Sequence, residues 1–210
     1  MALFITFEGG EGSGKTLQAR ALYRRLSQLA IPALLTREPG GTSLGKKLAG
    51  WLKWTQDAGI SPLTELLMFN ASRAQLVAEV IQPNLEGGKV VICDRYADST
   101  TAYQSYGRGL NLELVKAINN AATQGLNPAL TVLLDISAED GLARKGDARH
   151  DRFEQADMAF HHRVREGYLK LAADDPERWL VIDASQSQAK VRQIIWQKVS
   201  QLLSCPETKS

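Results

Sequence analysis

The run Gly9-Gly10-Glu11-Gly12-Ser13-Gly14-Lys15-Thr16 sets glycines, a lysine and a hydroxyl in the order G-x-x-x-x-G-K-[ST], behind an apolar run and ahead of a helical period. Glycines let successive backbone N–H groups turn inward around phosphate oxygens, and the amino terminus of the next helix adds its dipole. Lys15 is then placed to reach the terminal phosphates and Thr16 to hold Mg²⁺. The segment from Gly9 to Thr16 reads as the cradle of a nucleoside triphosphate. Two apolar runs end in an acid, Val90 to Asp94 and Thr131 to Asp135, and either can organise the metal. Asp94 is favoured because Arg95 and a polar cluster follow it. Asp135 suits the cap of a helix starting near Ala138.

Other clusters have the chemistry of an acceptor site. Thr36-Arg37-Glu38-Pro39-Gly40-Gly41-Thr42 and Asp94-Arg95-Tyr96 each put an arginine at the end of a strand-like run. A planar guanidinium grips phosphate oxygens in pairs, so Arg37 and Arg95 suit the phosphate of a second, monophosphorylated substrate; surface ion pairs are the plainer alternative. Phe69 and Arg73 stand one turn apart on a helix, where a ring can stack on a base and a guanidinium can meet its carbonyl. Taken alone, Phe69 also reads as core and Arg73 as an exposed helix residue. Arg144 to Arg152 holds four basic residues in nine. It is either a solvated loop or a lid, over about 144–152, that brings arginines to a transferred group. No Ser-His-Asp set is present, and His150, His161 and His162 read as surface residues.

These residues need a scaffold that gathers loop ends. Apolar runs at Leu3 to Phe7, Ala33 to Thr36, Val90 to Cys93, Leu130 to Asp135 and Trp179 to Ile182 have strand length and little alternation, as strands covered on both faces do. Helical periods lie between them at Lys15 to Leu29, Leu44 to Leu52, Pro62 to Ile81, Leu112 to Ala122, Ala138 to Arg144, Gln155 to Ala173 and Ala189 to Leu203. The alternation predicts an α/β fold: a three-layer α-β-α sandwich on a five-stranded parallel sheet, with ligands at the carboxyl ends of the strands. One domain over 1–210 is expected, with 204–210 as a flexible tail.

Composition narrows the class. The chain has 210 residues, 25 Lys plus Arg against 23 Asp plus Glu, 44% hydrophobic and 23% charged residues, which excludes disordered and collagen-like chains. A net charge of +2 and a pI near 8.5 argue against a nucleic-acid coat. No apolar run approaches the roughly 20 residues of a membrane span, and Met1 to Phe7 lacks the basic flank of a secretory signal. Cys93 and Cys205 form neither a disulfide framework nor a metal-ligand spacing. A cytoplasmic enzyme is expected.

Together, Phe7 to Thr16, Arg37-Glu38-Pro39-Gly40-Gly41-Thr42, the Phe69 to Arg73 helix, Asp94-Arg95-Tyr96 with Tyr103-Gln104, and Asp151-Arg152-Phe153-Glu154 resemble the bacterial thymidylate kinase (dTMP kinase) family, within the P-loop nucleoside-monophosphate kinases. The likeness runs from about Leu3 to Leu203. It implies transfer of the γ-phosphate of ATP to dTMP, with Mg²⁺, by a homodimer. It further implies Phe69 stacked on thymine, Arg73 at its carbonyl, Arg37 and Arg95 on the acceptor phosphate, and Thr100 or Gln104 near N3. Tyr103 would lie against the deoxyribose and Glu11 at the 3′-hydroxyl. The phosphate loop carries no arginine, so the resemblance assigns catalytic arginines to the lid, Arg149 first and Arg144 second, acting with Lys15 and Arg95. Thr16 and Asp94 would serve the metal. The alternatives are a kinase for another nucleoside monophosphate, a nucleotide switch and a nucleic-acid-stimulated ATPase. The last two lack, respectively, a guanine-reading segment and a basic stripe with interleaved aromatics.

Overall fold

Short runs of Val, Ile, Leu and Phe can be fully buried only in strands whose alternate side chains meet helices on opposite faces. Five such runs pair in parallel in the computed structural model, which describes residues 2–54, 59–146 and 151–204. The strands are β1 (Leu3–Glu8), β2 (Ala33–Arg37), β3 (Val90–Asp94), β4 (Leu130–Asp135) and β5 (Trp179–Asp183), in the order β2-β3-β1-β4-β5. The register sets Phe7 beside both Asp94 and Val132, and Arg37 beside Asp94. The carboxyl ends of β1, β2 and β3 therefore finish together, and between β1 and β3 the order in which strands are added reverses, the point at which a ligand crevice forms.

Residues of each strand divide between two cores. Ile5, Phe7, Val90, Ile92 and Val132 pack against Leu22 and Leu26 of α1 (Lys15–Gln28) and Val191, Ile195 and Val199 of the last helix (Gln188–Ser204). On the other face, Phe4, Val91 and Cys93 meet Leu76, Val77 and Ile81, while Leu133 meets Phe160, Val164 and Tyr168. No helix among the described residues is long and apolar enough to cross a membrane.

The remaining helices are α2 (Ser43–Trp54), α3 (Pro62–Leu76), α4 (Ala97–Thr100), α5 (Leu112–Thr123), α6 (Ala138–Ala143), α7 (Met158–Asp174) and α8, the Gln188–Ser204 helix. Three differ from expectation. The helix begun at Pro62 widens to a π turn at Val77–Ile81 and continues to Glu86, so the break falls just before Pro83, which has no N–H to give. Helix α7 starts at Met158 rather than Gln155 because the Asp157 side chain accepts from the Phe160 N–H and caps it. Helix α4 and the π-helical turns that extend it over Thr101–Gly107 were not expected at all. Their Asp, Ser and Thr residues have weak helix propensity, and burial overrides it.

Candidate active site

The loop after β1 is held by backbone contacts that leave no room for a side chain at Gly9 or Gly12. Gly12 has φ 66°, and a Cβ there would lie 1.8 Å from the carbonyl oxygen of Gly141 in α6. Gly141 is equally confined, since its Cβ would fall 2.3 Å from the Glu11 carbonyl oxygen. That partner carries no sequence signal. Gly14, at φ 92°, opens α1 so that the first N–H groups of the helix face the loop. Lys15 folds over the loop and donates to the carbonyls of Gly9 and Gly10 at 2.9 and 2.6 Å and to Ser13 Oγ at 3.2 Å. Burial, reinforced by the charge of Arg95, pushes its ammonium down to about 8. The Thr16 hydroxyl donates to Asp94 Oδ2.

Thr16 and Asp94 make a pair of hard oxygen donors, which suits a small divalent cation that keeps waters and phosphate oxygens in its other positions. Among the described residues no three His, Cys, Asp or Glu side chains converge, so such an ion fits here only in company with a nucleotide. Asp135 is not in this pair, and it is not the cap of α6. Ser137 caps that helix by accepting from the Asp140 N–H. Asp135 accepts from Arg165 Nε and Nη2 at 2.7 and 2.8 Å, because β4 ends against α7.

Arg95 follows β3 in the left-handed region, at φ 71°, which turns its side chain back under the phosphate loop. Its Nη2 donates to Glu11 Oε1 at 2.6 Å, and Tyr103 donates to the same oxygen at 2.8 Å. Burial alone would raise the Glu11 carboxyl, but Arg95 and Lys15 hold it at about 2. Beneath them lies Glu8, fully buried and not singled out from the sequence. It accepts from the Tyr96 N–H at 2.7 Å, Ser99 at 2.6 Å and Tyr168 at 2.9 Å. Desolvation by burial and then the charge of Asp98 raise its carboxyl to about 7. Ser99 and Tyr168 in turn face Arg95 Nη1 at 3.3 and 3.4 Å, so Glu8 holds the floor on which Arg95 rests.

Arg73 is 1% exposed, not a surface residue. Glu38 accepts from its Nε and Nη2, Asn70, Thr100 and Asn119 accept from Nη1, and the Tyr96 carbonyl accepts from Nη2, all between 2.7 and 3.1 Å. Arg37 is exposed, and its guanidinium has no partner among the described residues. Phe69 is half-buried with its ring centroid 5.7 Å from that of Phe153.

A cavity of about 720 Å³ joins these parts. Glu11, Gly12, Gly14, Lys15, Thr16, Asp94 and Arg144 line one end, and Arg37, Phe69, Arg73, Thr100, Tyr103 and Gln104 the other, with Arg95 between. Gly9, Gly10 and Ser13 lie in the loop but outside the lining. Arg144 is exposed and donates to the Ala184 carbonyl at 3.0 Å. Arg149 and His150 fall outside the described residues. His162 is exposed beside Glu139, as expected, but His161 is buried: three and seven residues before Val164 and Tyr168, it shares their apolar face of α7.

A parallel α/β sheet with a phosphate loop after β1, and with an anion- and base-sized crevice at the ends of β2 and β3, defines a P-loop phosphotransferase with a second small-molecule site. The thymidylate kinase family model matches residues 7–195. The chain is 53% identical to the thymidylate kinase of Dehalococcoides mccartyi (strain CBDB1) over 98% of this chain and 99% of that one. It is 50% identical to that of Deinococcus radiodurans over 95% and 97%. Its backbone is similar to the crystal structure of thymidylate kinase from Ehrlichia chaffeensis, with TM-score 0.78 and 34% identity over 95% of this chain and 98% of that one. The chain belongs to the thymidylate kinase family and is a nucleoside-monophosphate kinase that uses a nucleotide phosphate donor.

Proposed function

We propose that this chain, a single domain over 1–210, transfers the γ-phosphate of ATP to dTMP, giving ADP and dTDP, with Mg²⁺ at Thr16 and Asp94. The observation that carries the reading is one cavity shared by the phosphate loop and by the pair Phe69 and Arg73, with Arg95 between them. In this reading Gly9 to Thr16 wrap the donor phosphates and Phe69 stacks on thymine. Arg73, whose N–H groups are engaged within the protein before a ligand arrives, turns one of them to the polar edge of the base, together with either Thr100 or Gln104. Arg37 and Arg95 hold the acceptor phosphate, and Glu11 and Tyr103, already bonded to each other, meet the deoxyribose.

The acceptor is a phosphate monoester whose second pKa is about 6, so it is mostly dianionic at neutral pH and needs no general base. What opposes reaction is repulsion between two anions and the loss of freedom in lining them up. Thr16 and Asp94 would hold Mg²⁺, which would supply positive charge against that of the donor phosphates. Lys15 reaches forward from the loop carbonyls to the donor, and Arg95 spans the gap to the acceptor. Arg149 and Arg144 are assigned to the charge on the group in transfer. Trp51, Leu63 and Leu67 stand exposed on α2 and α3, which pack together, and support a homodimer through that face. The buried free thiol of Cys93 accords with a cytoplasmic setting.

The test is ADP release from ATP with each nucleoside monophosphate in turn. Release is expected with dTMP and weak with AMP, GMP and CMP; equal rates with AMP, or release without any acceptor, would reject the assignment.

A further inference from the structure

Glu65 is a buried carboxylate beside the acceptor end to which the reading above gives no task. It lies on α3 one turn before Phe69 and two before Arg73, so one helix face carries all three. It is 1% exposed and meets three side chains from two other segments. Gln104 Nε2 donates to Oε1 at 2.7 Å, Arg152 Nη2 donates to Oε2 at 2.5 Å, and Arg108 Nε and Nη2 approach the two oxygens at 3.4 and 3.5 Å. The two guanidiniums compensate the buried charge. The amide contact has a separate consequence. An ionised carboxylate accepts and cannot donate, so only the NH₂ end of Gln104 can face Glu65, and the amide oxygen must point the other way. That oxygen, Gln104 Oε1, is buried without a hydrogen-bond partner among the described residues, in a side chain that lines the cavity beside Thr100, Tyr103 and Phe69. A buried acceptor left unpaired in the protein is satisfied once a ligand brings the donor.

We propose that Glu65 is a positioning residue for base selection: it fixes the polarity of the Gln104 amide, so that the cavity wall presents an oxygen and not an N–H to the acceptor base. The proposal rests on the dTMP reading above. A pyrimidine with a protonated N3, such as thymine or uracil, supplies the missing donor. Cytosine sets a lone pair against Oε1 and leaves two acceptors facing each other unpaired, which is selection by repulsion as much as by attraction.

The experiment compares kcat/KM for dTMP and dCMP in wild type, Glu65→Gln, Glu65→Asp, Gln104→Ala and the double variant Glu65→Gln with Gln104→Ala. A glutamine at 65 can accept or donate, so the Gln104 amide can turn either way, and the dTMP to dCMP ratio is expected to narrow by about tenfold or more. Glu65→Asp keeps the carboxylate and is expected to recover most of the ratio. In the Gln104→Ala background the same change at 65 should leave the ratio where it was, because no amide remains to orient. If Glu65→Gln slows both substrates equally, with or without Gln104, the role is structural and the proposal falls. Should Glu65→Gln not fold, Glu65→Gln with Arg108→Gln removes carboxylate and guanidinium together, and the same ratio decides. A wild type without preference for dTMP overturns the acceptor reading itself, and with it any selectivity for Glu65 to set; a wild type with that preference and an unmoved variant ratio overturns only the proposal.

Discussion

Arg73 and Arg37 line the same cavity, and their surroundings are opposite. Arg73 is enclosed, with its donors taken by Glu38, Asn70, Thr100, Asn119 and the Tyr96 carbonyl. Arg37 stands exposed with no partner among the described residues, and Lys15 and Arg144 near the donor end rest on backbone carbonyls. The base end is thus almost fully paired before any ligand arrives, with the Gln104 amide oxygen left over, while Arg37, Lys15 and Arg144 stand free or on neutral oxygens that a phosphate can replace. This division suits the ligands: a neutral flat base is recognised by a rigid surface with fixed polarity, and a multiply charged phosphate by guanidinium and ammonium groups free to close on it.

Lys15→Ala should break the phosphate end most severely. Its ammonium is held over the loop by three oxygens, 2.6 to 3.2 Å away, and its removal is expected to lower kcat on the order of 10³-fold with little change in melting temperature. A loss confined to KM would mean that Lys15 binds the donor without acting on the transferred charge.

Arg73→Met should break the base end, first as a loss of stability. Glu38 would be left buried without its cation, which costs roughly 3–5 kcal/mol when one partner of a buried pair is removed. Thermal or urea unfolding measures it; a loss under about 1 kcal/mol would mean that water reaches Glu38 and that the network is not enclosed.

The contrast between these ends also explains what was legible in the sequence. The phosphate loop is contiguous, so one strand, one turn and one helix amino terminus fix its geometry, and Gly9 to Thr16 could be read directly. The sheet was equally legible, because runs such as Val90 to Cys93 have no other way to be buried on both faces. The base end is assembled from separate segments. Phe69 and Arg73 were visible as an i, i+4 pair, but nothing local marks Asn119 or Glu65 as neighbours of Arg73 and Gln104. Glu38 stood in a conspicuous motif, yet its partnership with Arg73 exists only because β2 ends beside α3. Glu8 and Gly141 escaped for the same reason: a buried carboxylate and a glycine have meaning only with Tyr168 and Glu11 against them. Helix α4 was missed because burial, not propensity, holds Ser99, Thr100 and Gln104 in helical geometry.

Arg37→Ala sharpens the comparison from the other side. Because Arg37 is exposed and unpartnered, its loss should leave stability within about 0.5 kcal/mol. If it serves the acceptor phosphate, the KM for dTMP should rise by roughly tenfold or more, the scale of a lost charge-assisted hydrogen bond. A melting temperature that falls with an unchanged KM would place Arg37 among structural residues, and the two ends of the cavity would no longer differ as described.

The smallest expected effect is one of pH, and it separates the free phosphate end from the occupied one. In the free protein Lys15 is pushed down to about 8, chiefly by burial, from an ordinary 10.5. Above pH 8 the ammonium discharges and its attraction for donor phosphates fades. kcat/KM for ATP, which reports the free enzyme, should therefore fall on an alkaline limb near pH 8, approaching about tenfold per pH unit. In the ternary complex neighbouring phosphates favour the charged form, so the limb in kcat should move to higher pH. Stability carries the opposite sign. Between about 8 and 10.5 the unfolded chain binds more protons at Lys15 than the folded one, so this group's contribution to stability rises with pH across that window. Coincident limbs in kcat and kcat/KM would mean that phosphate does not approach Lys15, whereas a limb present only in kcat/KM places the ammonium beside the bound donor.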